Sequence, residues 1–337
     1  MAFPSGAGKL DGVENEWECI VIGGGAAGLS AALVLGRARR RTLVVDAGEP
    51  SNRVTHGIGG LLGQDGRPPQ EFYAAARDEL ARYESVQIVA GQVTSALAEG
   101  DSFRLELTDG AVHHARRVLL ATGMRYEYPD VLGLASLWGN SVFHCPFCHG
   151  WESRDQPLAV LADGDRAVHM ALLLKGWTDD IVVLTNGRSG LTEDQLRLLV
   201  EADVSVDTRQ IAEFVSAGDV LTAVAFTDGT ELKRSGALVA GSLHQRSTLA
   251  AQLGVQIAPP GPVIADAVVV DQLYRTSVPG VFAAGDVCAQ MPQVAAAIAS
   301  GSTAAAAMVQ SVLSERVGLP IPSWPTVEER ETAHAHG

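Results

Sequence analysis

Cys19-Ile20-Val21-Ile22 is a short apolar run, and Gly23-Gly24-Gly25-Ala26-Ala27-Gly28 follows it at once. The run reads as a buried parallel strand. An Ala- and Leu-rich stretch then reads as a helix to about Arg37, and Arg41 to Val45 reads as the next strand, closing on Asp46. Strand, glycine turn, helix, strand and acid in this order leave little choice of fold. Gly23 lets the chain turn tightly, Gly25 admits a pyrophosphate close to the backbone, and Gly28 packs helix on strand. An acid at position 46 accepts hydrogen bonds from a ribose. The competing reading, a glycine-rich turn with no ligand, does not account for the acid at that separation. Cys19 lies inside the strand and is read as a small core residue.

The same order recurs. Leu158 to Leu161 is a strand, Ala162-Asp163-Gly164-Asp165-Arg166-Ala167 a turn, and a helix runs to about Trp177 before the strand Ile181 to Leu184. The chain therefore carries an internal repeat of two nucleotide-binding-like units. The second copy is degenerate. Ala162 and Asp163 stand at the places of the first two glycines. Its second strand ends in Thr185-Asn186-Gly187, with no carboxylate for a ribose and no arginine before Arg188. Arg166 is close enough in sequence to offset part of the Asp163 charge.

Between the copies lie a loop rich in Gly, Pro and Asn (47–70), a helix over Pro69 to Tyr83, and strands over Val86 to Val93, Phe103 to Thr108 and Arg117 to Ala121. Asp109-Gly110 is a hairpin turn, and Ala121-Thr122-Gly123 ends a strand in small residues. Strands are expected again around Val220 to Phe226 and Ala237 to Ala240. Near the end, Gly280 to Val287 is a strand closing on Gly285-Asp286, and Gln293 to Val309 is a long small-residue helix.

The second unit contains His144-Cys145-Pro146-Phe147-Cys148-His149-Gly150-Trp151. Two cysteines two residues apart can close a small disulfide ring, and a thiolate is the nucleophile of thiol–disulfide exchange. Pro146 presets the turn, and the flanking histidines are proton carriers near neutral pH. Half of a structural zinc site has the same spacing, but it needs a second pair, and Cys19 and Cys288 are isolated. No metal site is expected. Phe147 and Trp151 either line a substrate entrance or belong to the core.

A length of 337 residues suggests two domains, and 47% apolar residues suffice for two cores. A net charge of −14 argues against nucleic acid and anionic membranes as partners. Met1 to Trp17 is polar and acidic, without the basic and apolar regions of a secretory leader. No stretch is expected to be long and apolar enough to span a bilayer, since Ser300, Gly301, Ser302 and Thr303 interrupt the best candidate. Four cysteines in this length fit a cytoplasmic protein with one redox pair.

With these pieces placed, the chain resembles the low-molecular-weight thioredoxin reductase family of flavoproteins over roughly residues 17 to 315. Gly23 to Gly28 with Asp46 looks like its FAD-binding turn and ribose acid. Ala121-Thr122-Gly123 looks like its hinge turn. Gly285-Asp286, with Gln293-Val294 opening the last helix, looks like the segment that holds the flavin ribityl chain and ring. The resemblance implies an α/β fold of two Rossmann-like (FAD/NAD(P)-binding type) three-layer domains, the second inserted in the first. The FAD domain would comprise 17–125 and 245–318, and the inserted domain, carrying the cysteine pair, 126–244. Residues 1–16 would be a flexible extension and 319–337 a mobile tail. FAD contacts are carried over to Gly23, Gly25, Ala26, Ala27, Gly28, Asp46, Asn52, Val93, Ala121, Thr122, Gly123, Gly285, Asp286, Gln293 and Val294. A homodimer is implied as well.

The chain departs from the true reductases in two places. They carry an acid after the second cysteine, where His149 stands here, and they keep an intact second glycine turn with basic residues for NADPH. Cys-Pro-Phe-Cys-His-Gly with a worn second turn is more similar to the dithiol oxidase branch. Its members close disulfides in secondary metabolites such as gliotoxin, holomycin and depsipeptide histone-deacetylase inhibitors, passing the electrons to O2 to give H2O2. That resemblance implies a small-molecule dithiol as substrate, Cys145 attacked by a substrate thiol, and Cys148 nearest the flavin. His149 is the first candidate for the base and His144 the second, each with a packing role as the alternative. Two other readings are a reductase sending electrons from NAD(P)H or ferredoxin to a thioredoxin-like protein, and a redox sensor that retains FAD without turnover.

Overall fold

A computed structural model describes residues 15–187, 189–288 and 291–325. Residues 1–14, Arg188, 289–290 and 326–337, with most of the expected N-terminal extension and the His-Ala-His of the tail, lie outside the described residues.

The first unit runs β1 (Glu16–Ile22), α1 (Ala26–Arg37), β2 (Thr42–Asp46), α2 (Pro69–Leu80), β3 (Val86–Ala90), β4 (Val93–Glu99), β5 (Ser102–Leu107) and β6 (Val112–Leu120). A connecting strand β7 (Met124–Glu127) leads to α3 (Leu134–Leu137), β8 (Val142–Phe143), α4 (Pro146–His149), β9 (Leu158–Leu161), α5 (Gly164–Leu174), β10 (Ile181–Leu184), α6 (Glu193–Glu201) and β11 (Ser205–Asp207). Then come β12 (Ile211–Ala217), β13 (Val220–Phe226), β14 (Glu231–Lys233) and β15 (Gly236–Val239). The returning strand β16 (Ser242–Gln245) leads to α7 (Leu249–Gln252), β17 (Val281–Ala283) and α8 (Val294–Val317).

The first sheet has the order β3-β2-β1-β6, all parallel, with β17 parallel to the far end of β6 and the antiparallel pair β5-β4 on its near end. The second sheet, β11-β10-β9-β15-β8, is wholly parallel. Each is covered on both faces, which is why β1, β9 and β10 read as unbroken apolar runs rather than alternating ones. In the first unit Ile20 and Ile22 face a core with Phe103, Leu105 and Leu253, while Cys19 and Val21 face α1 and α8. Burial pushes the Cys19 thiol up to about 12, so it packs and does not react. The fold is thus two three-layer α/β units joined by an antiparallel ribbon in which Met124 pairs with Gln245.

Small residues set how closely the layers meet. A Cβ on Gly301 of α8 would lie 2.0 Å from the Ala27 carbonyl oxygen of α1, and one on Gly28 would lie 1.8 Å from the Gly23 carbonyl oxygen. Both helices therefore touch through backbone.

Four expectations are corrected. Val86 to Val93 is two strands, because the chain turns at Gly91, whose N–H donates to the Asp46 carbonyl (3.0 Å). The last helix runs on from Val309 to Val317 and stops where Gly318 takes φ 71°. At that length and composition it could cross a membrane, but half of its apolar window is buried inside the protein, as for a core helix. The tail is not free at its start. Trp324 donates from Nε1 to the Thr276 carbonyl (2.7 Å) and sets its ring edge-on to Phe282. Finally, β12, β13 and β14 form a separate antiparallel sheet of which only β13 was expected.

Gly301→Ala should cost about 1–3 kcal/mol, the usual cost of overpacking a close contact. Urea unfolding of the variant checks this, and unchanged stability would contradict the backbone contact between α1 and α8.

Candidate active site

The three motif glycines are required for three different reasons. Gly23 has φ 113°, and a Cβ there would lie 2.2 Å from the Ala121 carbonyl oxygen. Gly28 touches Gly23 as described. Gly25, the N-cap of α1, has nothing within 4 Å of where its Cβ would stand. It caps no N–H with a side chain, so the first amides of α1 are left to a ligand. Gly24 was not singled out in the sequence, yet a Cβ there would overlap the Asp46 carboxyl at 2.2 Å from Cγ.

These residues open onto a cavity of about 1460 Å³, beyond the ~300–1,000 Å³ of a pocket for one drug-sized ligand. Gly23, Gly25, Ala26, Ala27, Asp46, Asn52, Val93, Ala121, Thr122, Gly123, Gly285, Asp286, Gln293 and Val294 all line it. Gly28 does not, being a packing residue. Asp46 receives hydrogen bonds from Gly48 N (2.8 Å) and Arg77 Nη2 (2.6 Å). Asn52 accepts from the Tyr73 hydroxyl (3.0 Å), while its own Nδ2 is buried without a partner. Asp286 is half-buried, and desolvation raises its carboxyl to about 6 against the pull of Arg246 and Ser51. Uncapped amides, an open Gly25 and an unpartnered amide donor fit an elongated cofactor with a diphosphate at α1. FAD would be held by these side chains and amides.

The cysteine pair closes the other end. Cys145 is the N-cap of α4, and Pro146 supplies its first turn. Cys148 Sγ donates to Cys145 Sγ across 2.8 Å, so closing a disulfide of about 2.05 Å needs little movement. At that distance the two thiols titrate as a pair rather than singly. Hydrogen bonding from Cys148 first, then backbone N–H groups of Cys148 and Phe147, overcome burial and bring Cys145 down to about 7. Cys148 is pushed up, first by its bond to Cys145 and then by burial. Cys148, His149, His144 and Phe147 line the cavity, whereas Cys145 does not. The loop after β2 lies directly on the pair. A Cβ on Gly59 would lie 2.4 Å from the Cys148 carbonyl oxygen, and Asn140 Nδ2 donates to Val54 O (3.4 Å).

The histidines differ. His149 Nε2 contacts the Gly139 carbonyl at 3.1 Å, which requires Nε2 to carry the hydrogen, and its ring stacks on Phe143. Nδ1 is then an acceptor, buried without a well-formed hydrogen bond, although the Cys145 backbone is close enough to the ring to bear on it. Burial lowers the His149 pKa, so the ring is neutral at pH 7. His144 is wedged between Tyr126 and Trp138, at ring distances of 4.4 and 5.8 Å, and burial drives it down to about 4. It is the weaker base of the two. Phe147 and Trp151 are not core: they are 55% and 66% exposed, with Phe147 edge-on to Trp177 and Arg154 over Trp151.

The second turn is filled by its own residue. Asp163 caps α5, accepting from Gly164 N (2.8 Å) and, through both oxygens, from Gly190 N (2.9 and 2.8 Å). Arg166, expected to offset part of that charge, forms no ion pair with Asp163 among the described residues and donates from Nη2 to the Gly241 carbonyl (2.9 Å). The residues that sequence reasoning missed are Tyr73, Arg77, Tyr126, Trp138 and Arg246. None belongs to a local motif, and each reaches the cavity from a distant segment.

The pyridine nucleotide-disulphide oxidoreductase family model matches residues 17–301. The chain is similar to thioredoxin reductase tcpT of Claviceps purpurea, 34% identical over 300 residues that cover 86% of this chain and 92% of that one. Among solved structures it is similar to an oxidoreductase from Agrobacterium tumefaciens, with 38% identity, TM-score 0.83, and 88% and 99% of the two chains covered. HlmI is similar as well, with 35% identity, TM-score 0.84, and 96% and 99% covered.

Two outcomes are expected of this site. Gly25→Val should give folded but colourless protein, whereas Gly23→Val should fail to fold; circular dichroism and flavin absorbance separate the two. In reduced protein, iodoacetamide should label Cys145 first, with a rate that rises through about pH 7, as the thiolate forms, rather than through the ordinary 9.0. Peptide mapping across a pH series reads this directly.

Proposed function

The chain belongs to the pyridine nucleotide-disulphide oxidoreductase family, is thioredoxin reductase-like and binds FAD, and from that premise we propose that it is a dithiol oxidase. It closes a disulfide in a small-molecule dithiol through Cys145 and Cys148, with O2 as acceptor and H2O2 as product. The observation that carries this reading is Asp163. Its carboxylate takes up the first α5 amide, that of Gly164, and holds Gly190 N as well, and it puts a negative charge at the turn where a second dinucleotide diphosphate would sit. Electrons then have to enter from the thiol side.

The chain's own residues suit that entry. His149, neutral at this pH and on the cavity wall beside the pair, takes the proton of the incoming substrate thiol. The substrate thiolate attacks Cys145, and the bond between Cys145 and Cys148 breaks. The larger cause of the raised Cys148 value is its bond to Cys145. Once Cys145 is bonded to substrate sulfur that cause is gone, and Cys148 leaves as thiolate on the cavity wall. The second substrate thiol then displaces Cys145, releasing the cyclic disulfide and leaving the pair reduced. FAD supplies the two-electron link from the reduced pair to O2. Exposed Phe147 and Trp151 next to the pair offer an apolar surface for a small substrate.

An oxygen electrode should register dithiol-dependent O2 uptake with one H2O2 per disulfide formed. Cys145→Ser and Cys148→Ser should each abolish it while keeping FAD. His149→Ala should slow it by on the order of a hundredfold at pH 7, the size of a general-base contribution. The deficit should shrink at high pH, where the substrate thiol ionises unaided. An equal deficit at every pH would assign His149 a structural role, and NADPH-driven reduction of a thioredoxin would replace the oxidase with a reductase.

A further inference from the structure

Segment 51–67 belongs to the long connection after β2 in the first unit, and it reaches across to the second. It is fastened there at three places. The Val54 carbonyl accepts from Asn140 Nδ2 (3.4 Å), and Val54 Cγ2 lies 2.7 Å from where a Gly139 Cβ would stand. His56 Nε2 and Asp219 Oδ2 are 2.5 Å apart. Gly59 lies on the cysteine turn itself. A Cβ there would stand 2.4, 3.1 and 3.3 Å from the carbonyl oxygen, carbonyl carbon and Cα of Cys148. The segment also holds its own shape. Buried Ile58 donates from its N–H to Arg67 O (3.0 Å) and accepts from Gly66 N (2.9 Å), and Asp65 Oδ1 accepts from Gly60 N (2.8 Å). It is a preformed strap from one unit onto the other.

A second contact fixes the turn within its own unit. A Cβ on Gly150 would lie 2.8 Å from Cδ2 and Cε2 of Trp177, so the indole face meets the backbone of the turn directly. Both contacts leave no room for a methyl group, so the height of the turn is set from outside it. Of the two cysteines, Cys148 lines the cavity that fits FAD and Cys145 does not. When the reduced pair closes, the bond between the two sulfurs forms and the Cys148 S–H bond breaks. The Cys145 thiolate and Cys148 thiol together give up two electrons and one proton, which pass to FAD. Such a reaction needs its atoms at about 3–3.5 Å. A methyl group at position 59 has to part the strap from the Cys148 carbonyl by about 1 Å, from 2.4 Å to the 3.4 Å of ordinary contact, and a misplacement of that size costs about a hundredfold.

We propose that Gly59 is a positioning residue for electron transfer between the cysteine pair and FAD. Its bare Cα against the Cys148 peptide lets the first unit, which holds the cofactor site, set how close the second unit's Cys148 comes to the cofactor. The inference rests on the FAD site and on the pair as redox partner of FAD. It is the same whether electrons arrive from a dithiol or leave for one.

The test reads transfer from the flavin side. Holoprotein with the pair oxidised is mixed anaerobically with dithionite and quenched in iodoacetamide over a time course. Opening of the disulfide is read at Cys145 and Cys148 by peptide mapping, beside the flavin absorbance, with apoprotein giving the rate without transfer. Gly59 does not have a positive φ, so Gly59→Ala adds the contact without backbone strain. It should keep FAD and bleach at the parental rate, yet open the disulfide about a hundredfold more slowly. Gly63→Ala, in the same segment with φ 77° and nothing within 4 Å of its Cβ, should open it at the parental rate. An equal loss in both variants would make the effect one of loop strain and overturn the proposal. So would Gly59→Ala with a lowered Tm and parental opening, since Gly59 would then be structural only. A second protein keeps the proposal falsifiable if Gly59→Ala does not fold. The side chains of His56 and Asp219 are 77% and 48% exposed, and His56→Cys with Asp219→Cys can be joined by a short bis-maleimide while the pair is oxidised. The joined protein should open the disulfide at the parental rate. A large loss would mean that the strapped arrangement is not the one that transfers electrons. Neither substrate dithiol nor O2 enters these measurements, so their failure is distinguishable from a failure of the oxidase reading.

Discussion

Three backbones meet without side chains between them, and the rest of the site depends on that contact. Gly28 brings α1 onto the Gly23 carbonyl, Gly301 brings α8 onto the Ala27 carbonyl, and Gly23 lies on the Ala121 carbonyl at the end of β6. The tight approach leaves the amides of α1 exposed at the mouth of a cavity rather than buried under side chains. It also sets Gly285 and Asp286 opposite them, since Ser300 of α8 accepts from Gly285 N (3.0 Å). From this fixed end the cavity runs to the second unit. The ribbon of β7 and β16 joins the units, and the loop at Gly59 rests on the Cys148 carbonyl. Cys148 therefore reaches the cofactor site as a consequence of packing in the first unit.

The two units share a strand–turn–helix–strand order and differ most sharply at the turn. At the first turn, Gly25 caps nothing and leaves its amides to a ligand. At the second, Asp163 satisfies the amide of Gly164 and ties down Gly190. A carboxylate held by the amides of Gly164 and Gly190 thus stands at the turn that corresponds to Gly25 in the first copy. The same architecture serves as a cofactor cradle in one copy and as support for the cysteine turn in the other.

Local chemistry was legible in the sequence and distant partnership was not. The strand–turn–helix–acid unit and the cysteine turn are each specified within a few dozen residues, so their backbone reasons could be read from residue type and spacing. Asp163 was recognised as a misplaced carboxylate, but its bond to Gly190 joins loops 27 residues apart. Arg166 was expected to offset part of its charge, and its guanidinium is bound to Gly241, 75 residues away. Arg246 reaches Glu49 across 197 residues, and nothing in its neighbours in sequence marks it. The last helix outran its expected end because no residue from Val309 to Val317 breaks a helix; only the left-handed Gly318 does. Trp324 was read with a mobile tail because its partner, Thr276, is visible only in the fold.

The central claim is that reducing equivalents enter through Cys145 and Cys148 and not through a nicotinamide at the second turn. Anaerobic rapid mixing of the holoprotein with a small dithiol, and separately with NADPH and NADH, followed at the flavin absorbance, tests it most directly. The account predicts fast bleaching by the dithiol and only very slow bleaching by either nicotinamide, with colour restored when air is admitted. Fast bleaching by NADPH or NADH would contradict it, since it would mean that Asp163 does not close the second site.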